Sequence, residues 1–330
     1  MNRRSLTPLL ALVAGSLLLP ALCTAAEPPA TAPSAAGNGG RDPSLPKDLD
    51  SPVVHTLRPA RKLKTLKAAP LYSFSERDVD AYLRSLSADE PDPIQRVLHL
   101  ARKNIGQPYE IYLLGEGPYE LYDPDPMYCL EKSDCVTFVE HTYAMALSRD
   151  WPTFFKTLQR LRYKDGKVGM LTRNHESVAD WDPNNGWLFD EITAKLGGGT
   201  KTVPMHLVWK PKDFFARWGI GQDLKDVTVE SVYIPADNVS SILPELKDGD
   251  VVHIVRGNAK VQYVGHFGIV AHGPKGEVNM IHSAEPAVRE QGILDFIEHN
   301  SVKTLGMKFL RPKPQPQELV DKQLAKAGTP

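Results

Sequence analysis

The chain has too few cysteines for a disulfide framework. Three occur in 330 residues, and Cys23 lies in the leading segment, so Cys129 and Cys135 are the two left to pair in an oxidising compartment. It also lacks a membrane span. The apolar run Leu9 to Leu19 is too short for a bilayer, and no later stretch approaches the roughly 18 apolar residues a transmembrane helix needs. An excess of positive charge is missing too. Lys and Arg number 39 against 40 Asp and Glu, which excludes the clustered basic footprint of a nucleic-acid binder. Finally, His175-Glu176 is not followed by a second histidine at helical spacing, so no His-Glu-x-x-His zinc motif exists. No metal or other cofactor is expected, and nothing in the sequence sets an oligomeric state.

What is present begins with an export signal. Arg3 and Arg4 precede the apolar run, and Thr24-Ala25-Ala26 offers small residues for cleavage before Glu27. Pro20 and Leu22 stand where a lipid-anchor motif would place Leu and a small residue, so the expected product is soluble and periplasmic or secreted. Losing residues 1–26 removes two arginines and no acid, which moves the net charge from −1 to −3. Residues 27–70 begin as a Pro/Ala/Gly/Ser-rich stretch that cannot bury enough surface to offset its ordering entropy, and read as a disordered spacer. Residues 313–330, with Pro314 and Pro316, read as a flexible tail. Between them, 71–312 has the size of one domain.

Within that domain the helical patterns come first: Ser75 to Leu86, Pro93 to Lys103, 134–148 and Pro152 to Arg162. A Gly/Pro/Tyr-rich loop, Gly106 to Pro126, interrupts them. The second half turns to strand patterns at Val227–Ile234, Asp250–Val255, Val261–Ala271 and Val278–Ser283. Helices first and strands later predict an α+β fold.

Cys135 stands where a nucleophile would be placed. Ser133 or Asp134 can cap the helix, leaving Cys135 in a first turn whose unpaired N–H groups and dipole favour a thiolate. On position alone, a packed cysteine or one paired with Cys129 fits equally well. The strand pair raises the functional reading. Gly273 to Lys275 as a three-residue loop sets 272 opposite 276, and so sets His266 opposite His282 on one face. Two histidines so placed suit a base and the group that orients it. His253 is a rival base, but its strand turns back near Arg256 and puts it about 13 Å along from His266, so it reads as structural. His175 lies in a loop and can either bind substrate or be solvated. Glu140 and Asp180 read as solvated charges.

Asp134-Cys135, the strand His266-Phe267-Gly268-Ile269 and the segment Ile281-His282-Ser283 together resemble the NlpC-type, papain-fold cell-wall hydrolases. More narrowly, the chain resembles their N-acetylmuramoyl-L-alanine amidase-like branch. This likeness rests on Gly106-Gln107-Pro108-Tyr109, on Asp134 to Glu140 (Asp-Cys-Val-Thr-Phe-Val-Glu), on Arg173-Asn174-His175 leading to Asp180-Trp181, on Lys247 to Asp250 and on Gly306 to Arg311. Endopeptidases of the superfamily usually read Asp-Cys-Ser-Gly, whereas this chain reads Asp-Cys-Val-Thr. It departs from the branch at Glu176, where tyrosine is more usual.

The resemblance implies a papain-like fold, with the cysteine-bearing helix packed on an antiparallel sheet that carries the histidines. It implies that Cys135 attacks, His266 is the base and His282 orients it, with Tyr109, Arg173 and His175 as substrate donors. The substrate would be peptidoglycan or a muropeptide, cut at the amide joining N-acetylmuramic acid to L-alanine. Two alternatives stand beside this reading: cleavage within the stem peptide between D-glutamate and the diamino acid, and a non-catalytic wall-binding module with an inert cysteine.

Overall fold

The computed structural model describes residues 59–258 and 260–327. The expected signal peptide, 1–26, and the spacer up to residue 58 lie outside the described residues. Where the description begins, the chain is already ordered against the domain. Helix α1 (Leu63–Ala68) buries Leu66, and Arg61 bonds Asp78 through both its backbone N (2.7 Å) and its Nε (3.0 Å). The spacer expectation therefore fails for its last residues. One buried leucine and one buried carboxylate partner are too short a signal for periodicity to register.

Four longer helices follow close to where the patterns put them: α2 (Glu76–Asp89), α3 (Pro93–Lys103), α4 (Cys135–Ala146) and α5 (Trp151–Arg162). Their starts are chemically fixed. Ser75, Asp134 and Asp150 each form a capping box with the residue three positions on, and Asp92 accepts from Ile94 N ahead of Pro93. Helix α4 is buried on almost every side, Phe138, Val139, Thr142, Tyr143 and Ala146 included, which makes it the central rod of the domain.

Eight strands form one sheet among the described residues: β1 (Phe189–Glu191), β2 (Val203–Trp209), β3 (Val227–Pro235), β4 (Val251–Gly257), β5 (Gln262–His272), β6 (Val278–His282), β7 (Arg289–Gly292) and β8 (Gly306–Pro312). The order is β2-β3-β8-β4-β5-β6-β7, with β1 also on β8, and every pairing is antiparallel. The α+β expectation agrees with this architecture. The sheet has two apolar faces. Val251, Phe267, Ile269 and Ile281 pack with the helices, while Val252, Ile254, Val270, Met280 and Phe309 pack with Ile234, Ile242 and Phe296 on the other side.

The end of the chain differs from the expected tail. The last strand, β8, runs through the middle of the sheet, and helix Pro316–Ala327 packs against α5. Gln317 donates to Leu147 O (2.9 Å) and accepts from Arg96 (2.7 Å), and Val320 is buried. The prolines that suggested a tail bracket a strand-to-helix junction instead. Among the described residues, no helix is long and apolar enough to cross a membrane.

Candidate active site

Cys135 is the first residue of α4 and is 5% exposed. Of the two residues that could cap this helix, Asp134 does so. Its carboxylate accepts from Thr137 N (2.7 Å), and Thr137 Oγ1 accepts from Asp134 N (2.9 Å). Ser133 is occupied elsewhere: its hydroxyl donates to Gln107 Oε1 (2.8 Å), and its carbonyl accepts from Ser283 Oγ (2.9 Å). That contact ties the turn before Cys135 to the residue after His282. Cys129 and Cys135 are not joined in a disulfide. Cys129 sits 3.4 Å, through its backbone N, from the Nε2 of His141.

His266 and His282 are brought together. His266 Nε2 lies 2.8 Å from His282 Nδ1, and both rings are buried. The route differs from the expected one. The hairpin loop is five residues, 273–277, closed by Gly273 N donating to Glu277 O (2.9 Å) with Gly276 at φ +83°. The register moves accordingly: Ile269 faces Ile281 and His272 faces Val278, so continuing the ladder brings His282 opposite Gly268 and leaves His266 on the diagonal. The diagonal contact closes because Gly268 has no side chain. A Cβ there would lie 3.4 Å from His282 Cβ and 3.2 Å from Val252 Cγ1. Phe296 completes the pocket wall, stacked on His266 (7° between planes, 5.8 Å) and edge-on to His282.

Both imidazoles are held neutral at pH 7. Burial pushes His266 well below its usual range, helped by His282, Arg256 and Arg289. His282 is lowered to about 4 by burial and by Arg289. The pair projects to the Val270–Met280 face, whereas Cys135 belongs to the cluster on the α4 face. Strand β6 ends at His282, so among the described residues the edge of β5 on that side carries no paired strand before Ile269. The turn before α4 meets the chain at this gap through Ser133 and Ser283.

His253 takes no part in this pair, but the expected reason needs correcting. It faces Phe267, one register step from His266, rather than lying about 13 Å along the strand from it. What separates them is the sheet itself: His253 points to the helix side, against Phe267 (4.0 Å) and Trp181 (5.8 Å). Its Nδ1 is 3.6 Å from Asp182 Oδ1, and burial drives the histidine down and the carboxyl up, disfavouring the charged form of each.

The expected substrate donors divide. Tyr109 is half-buried beside the cysteine's turn, its N–H on Pro286 O (3.1 Å) and its backbone bridged to Ser133. Arg173 is already committed to the protein: it bonds Leu114 O (3.1 Å) and pairs with Glu116 (3.3 Å) and Asp123 (2.8 Å), pinning the loop after Gly106. His175 is enclosed between Phe214 and Phe215, its Nε2–H on Met170 O (2.8 Å), and burial lowers it to about 3. Both side chains thus bond the protein's own loops while remaining half-buried. Glu140 is not solvated, and Asp180, half-buried, is tied to the backbone. Glu140 is buried and accepts from Trp181 Nε1 (3.0 Å) with Arg162 at 4.0 Å, while Asp180 accepts from the backbone N–H groups of His175 and Glu176. Glu176, in turn, caps the turn that carries Trp181 by accepting from Val178 N (2.7 Å) and Ala179 N (2.6 Å). Among the described residues, no group of three or more His, Cys, Asp or Glu side chains could hold a metal.

Sequence reasoning missed Gly268, Phe296 and the Gln107–Ser133–Ser283 network. Gly268 left a signal in its place between the two histidines. Phe296, from a helix further along the chain, left none.

Residues 99–302, more than half of the chain, match the model of the AmiA-like family, described as N-acetylmuramoyl-L-alanine amidase-like, and the chain belongs to that family. Among solved structures, a Legionella pneumophila protein is 19% identical, with a TM-score of 0.63 over 74% of this chain and 96% of that one. An N-acetylmuramoyl-L-alanine amidase from Bacteroides uniformis is 24% identical, with a TM-score of 0.53 over 67% of this chain and 99% of its own. A protein from Bacteroides fragilis described as a putative xylanase is 24% identical, with a TM-score of 0.50 over 64% and 98%. These likenesses show the fold. No curated protein matches the chain.

Proposed function

We propose that this member of the amidase-like family is an exported cysteine hydrolase that cuts the amide between N-acetylmuramic acid and L-alanine of peptidoglycan or its muropeptides. The observation that carries the reading is the buried His266–His282 pair, whose neighbour Ser283 bonds the capped turn leading into Cys135. We assign the arrangement to a papain-like, NlpC-type fold, on the strength of a cysteine at a helix N-terminus packed on an antiparallel sheet that bears the histidines.

In this reading, the Cys135 thiol reaches His266 through the gap where β6 has ended. His266 Nε2–H donates to His282 Nδ1, which leaves His266 Nδ1 as the acceptor for the thiol proton. The sulfur attacks the lactyl carbonyl carbon, and N–H groups of the first turn of α4 stabilise the oxyanion. As the C–N bond breaks, the L-alanine nitrogen takes the proton from His266, leaving a muramoyl thioester on Cys135. Water, deprotonated by His266, then attacks the thioester, releases the lactyl carboxylate and restores the thiol. No metal or cofactor enters any step. Tyr109, beside the turn, is the donor we assign to the substrate.

The alternative, cleavage between D-glutamate and the diamino acid, uses the same chemistry on a different bond. Digesting a defined disaccharide-peptide and weighing the products separates the two. The amidase reading expects a peptide beginning with L-alanine; a sugar-bearing fragment ending in D-glutamate would replace it with the endopeptidase. A wall-binding module would leave the substrate intact.

A further inference from the structure

The His266–His282 pair leaves one polar atom over. His282 Nε2 is buried and, among the described residues, has no partner at full hydrogen-bond geometry. A buried donor so placed costs about 1–3 kcal/mol if nothing receives it. The side chain that faces it comes from β7. In the β6–β7 ladder, Gln291 stands opposite Met280 and Arg289 opposite His282, so Gln291 shares the face of His282 one diagonal step away. Its carboxamide is oriented by two groups that each permit only one end. Asp295 accepts and does not donate, so it fixes the amide nitrogen; Arg289 donates and does not accept, so its Nε (3.5 Å) fixes the amide oxygen. Arg289 is itself anchored on Ala284 O (3.2 Å) and Glu285 O (3.0 Å).

We propose that Gln291 is a positioning residue of this site: its amide oxygen accepts the Nε2–H of His282 and thereby fixes the ring with Nδ1 turned to His266. A carbonyl oxygen has two lone pairs, so the Arg289 contact leaves one for His282. With the tautomer fixed, His266 must donate from Nε2, and its Nδ1 stays open to the thiol proton. The side-chain amide also opposes the burial that lowers His282, as a hydrogen-bond acceptor on the ring would. The chain of orientation is then Arg289 and Asp295 to Gln291, to His282, to His266. The inference rests on the reading that Cys135 is a nucleophile with His266 as its base.

The test measures the rate at which iodoacetamide alkylates Cys135 in the full-length protein between pH 5 and 9, followed by peptide mass, with melting temperature as a check on folding. It needs no peptidoglycan. His266→Ala tests the underlying reading: if it leaves the Cys135 profile unchanged, the cysteine–histidine reading fails, and this inference with it. If His266→Ala matters, Gln291→Met should slow alkylation at pH 7 about tenfold and move the profile to higher pH, with the melting temperature preserved. Gln291→Glu, which keeps an oxygen facing Arg289 and His282, should restore the rate to within about threefold of wild type. A Gln291→Met profile that overlays wild type overturns the inference while leaving the cysteine–histidine reading intact. So does a Gln291→Glu variant that folds but is as slow as Gln291→Met.

Discussion

His266 reaches His282 diagonally across a glycine, with Nε2 and Nδ1 2.8 Å apart above the bare backbone of Gly268. The pair is therefore sensitive to a residue with no chemistry of its own. A methyl group at 268 would press on Val252 (3.2 Å), Met280 (3.3 Å) and His282 (3.4 Å). Gly268→Ala is expected to lower kcat on a muropeptide about tenfold with little change in KM, because it displaces the orienting ring and not the substrate. Steady-state kinetics check this, and unchanged kcat would mean that the diagonal contact tolerates a shift.

Cys135→Ala and Cys135→Ser should abolish turnover while leaving the fold intact. The side chain is small and sits at a helix start whose cap is made by Asp134 and Thr137, not by the cysteine. A hydroxyl lacks the thiolate's nucleophilicity at neutral pH. Circular dichroism and a muropeptide assay on the same samples decide it. Activity above about a tenth of wild type removes Cys135 from the mechanism.

The two site histidines and His253 should fail in different ways. His266→Ala removes the proton acceptor and should cost on the order of 10²–10⁴ in kcat/KM, at least as much as His282→Ala. His253→Ala instead opens a cavity between Phe267 and Trp181 and should cost about 2–4 kcal/mol of stability, with near-normal kcat in the protein that remains folded. Urea unfolding paired with kinetics separates the two effects. If His253→Ala proved the most damaging to kcat, the face assignment of β4 would be wrong.

The pH profile follows from burial. A histidine serves as base only when neutral, and burial lowers both members of the pair, His282 to about 4 and His266 well below its ordinary value. Lowering the pKa extends the neutral form to more acid pH, so the acid limb of kcat/KM should lie below pH 6.5. An acid limb at or above that value would show that the histidines are solvated in the working enzyme.

Much of this site was legible in the sequence because its signals are local. The Asp134 cap, the helix after it and the alternation through β5 and β6 each lie within a few residues, and they predict Cys135 at a helix start and His266 and His282 within contact on one face, which is where the structure has them. The hairpin loop was misjudged by two residues, since Gly273-Pro274-Lys275-Gly276 fits loops of several lengths and the closing bond is made by Glu277. Because two residues preserve the side-chain alternation, the error moved the histidines along the face without turning either over. The position of β8 was not readable, because a strand at the end of the chain that inserts between β3 and β4 is set by long-range packing. The roles of Arg173, His175 and Glu140 were hidden for a similar reason. Their partners, Glu116 and Asp123, Met170 with Phe214 and Phe215, and Trp181, meet them only in the folded chain, so two side chains read as substrate donors and one read as a solvated charge each turn out to have partners within the protein.

The most direct measurement is the mass of the covalent intermediate. Wild-type protein mixed with a disaccharide-tetrapeptide, acid-quenched within one turnover and digested, should carry an adduct on the peptide containing Cys135. The account predicts that the adduct weighs as the disaccharide through its lactyl acyl group, with no amino acid attached. An adduct that includes L-alanine and D-glutamate, one on any residue other than Cys135, or no adduct during demonstrated turnover would contradict it.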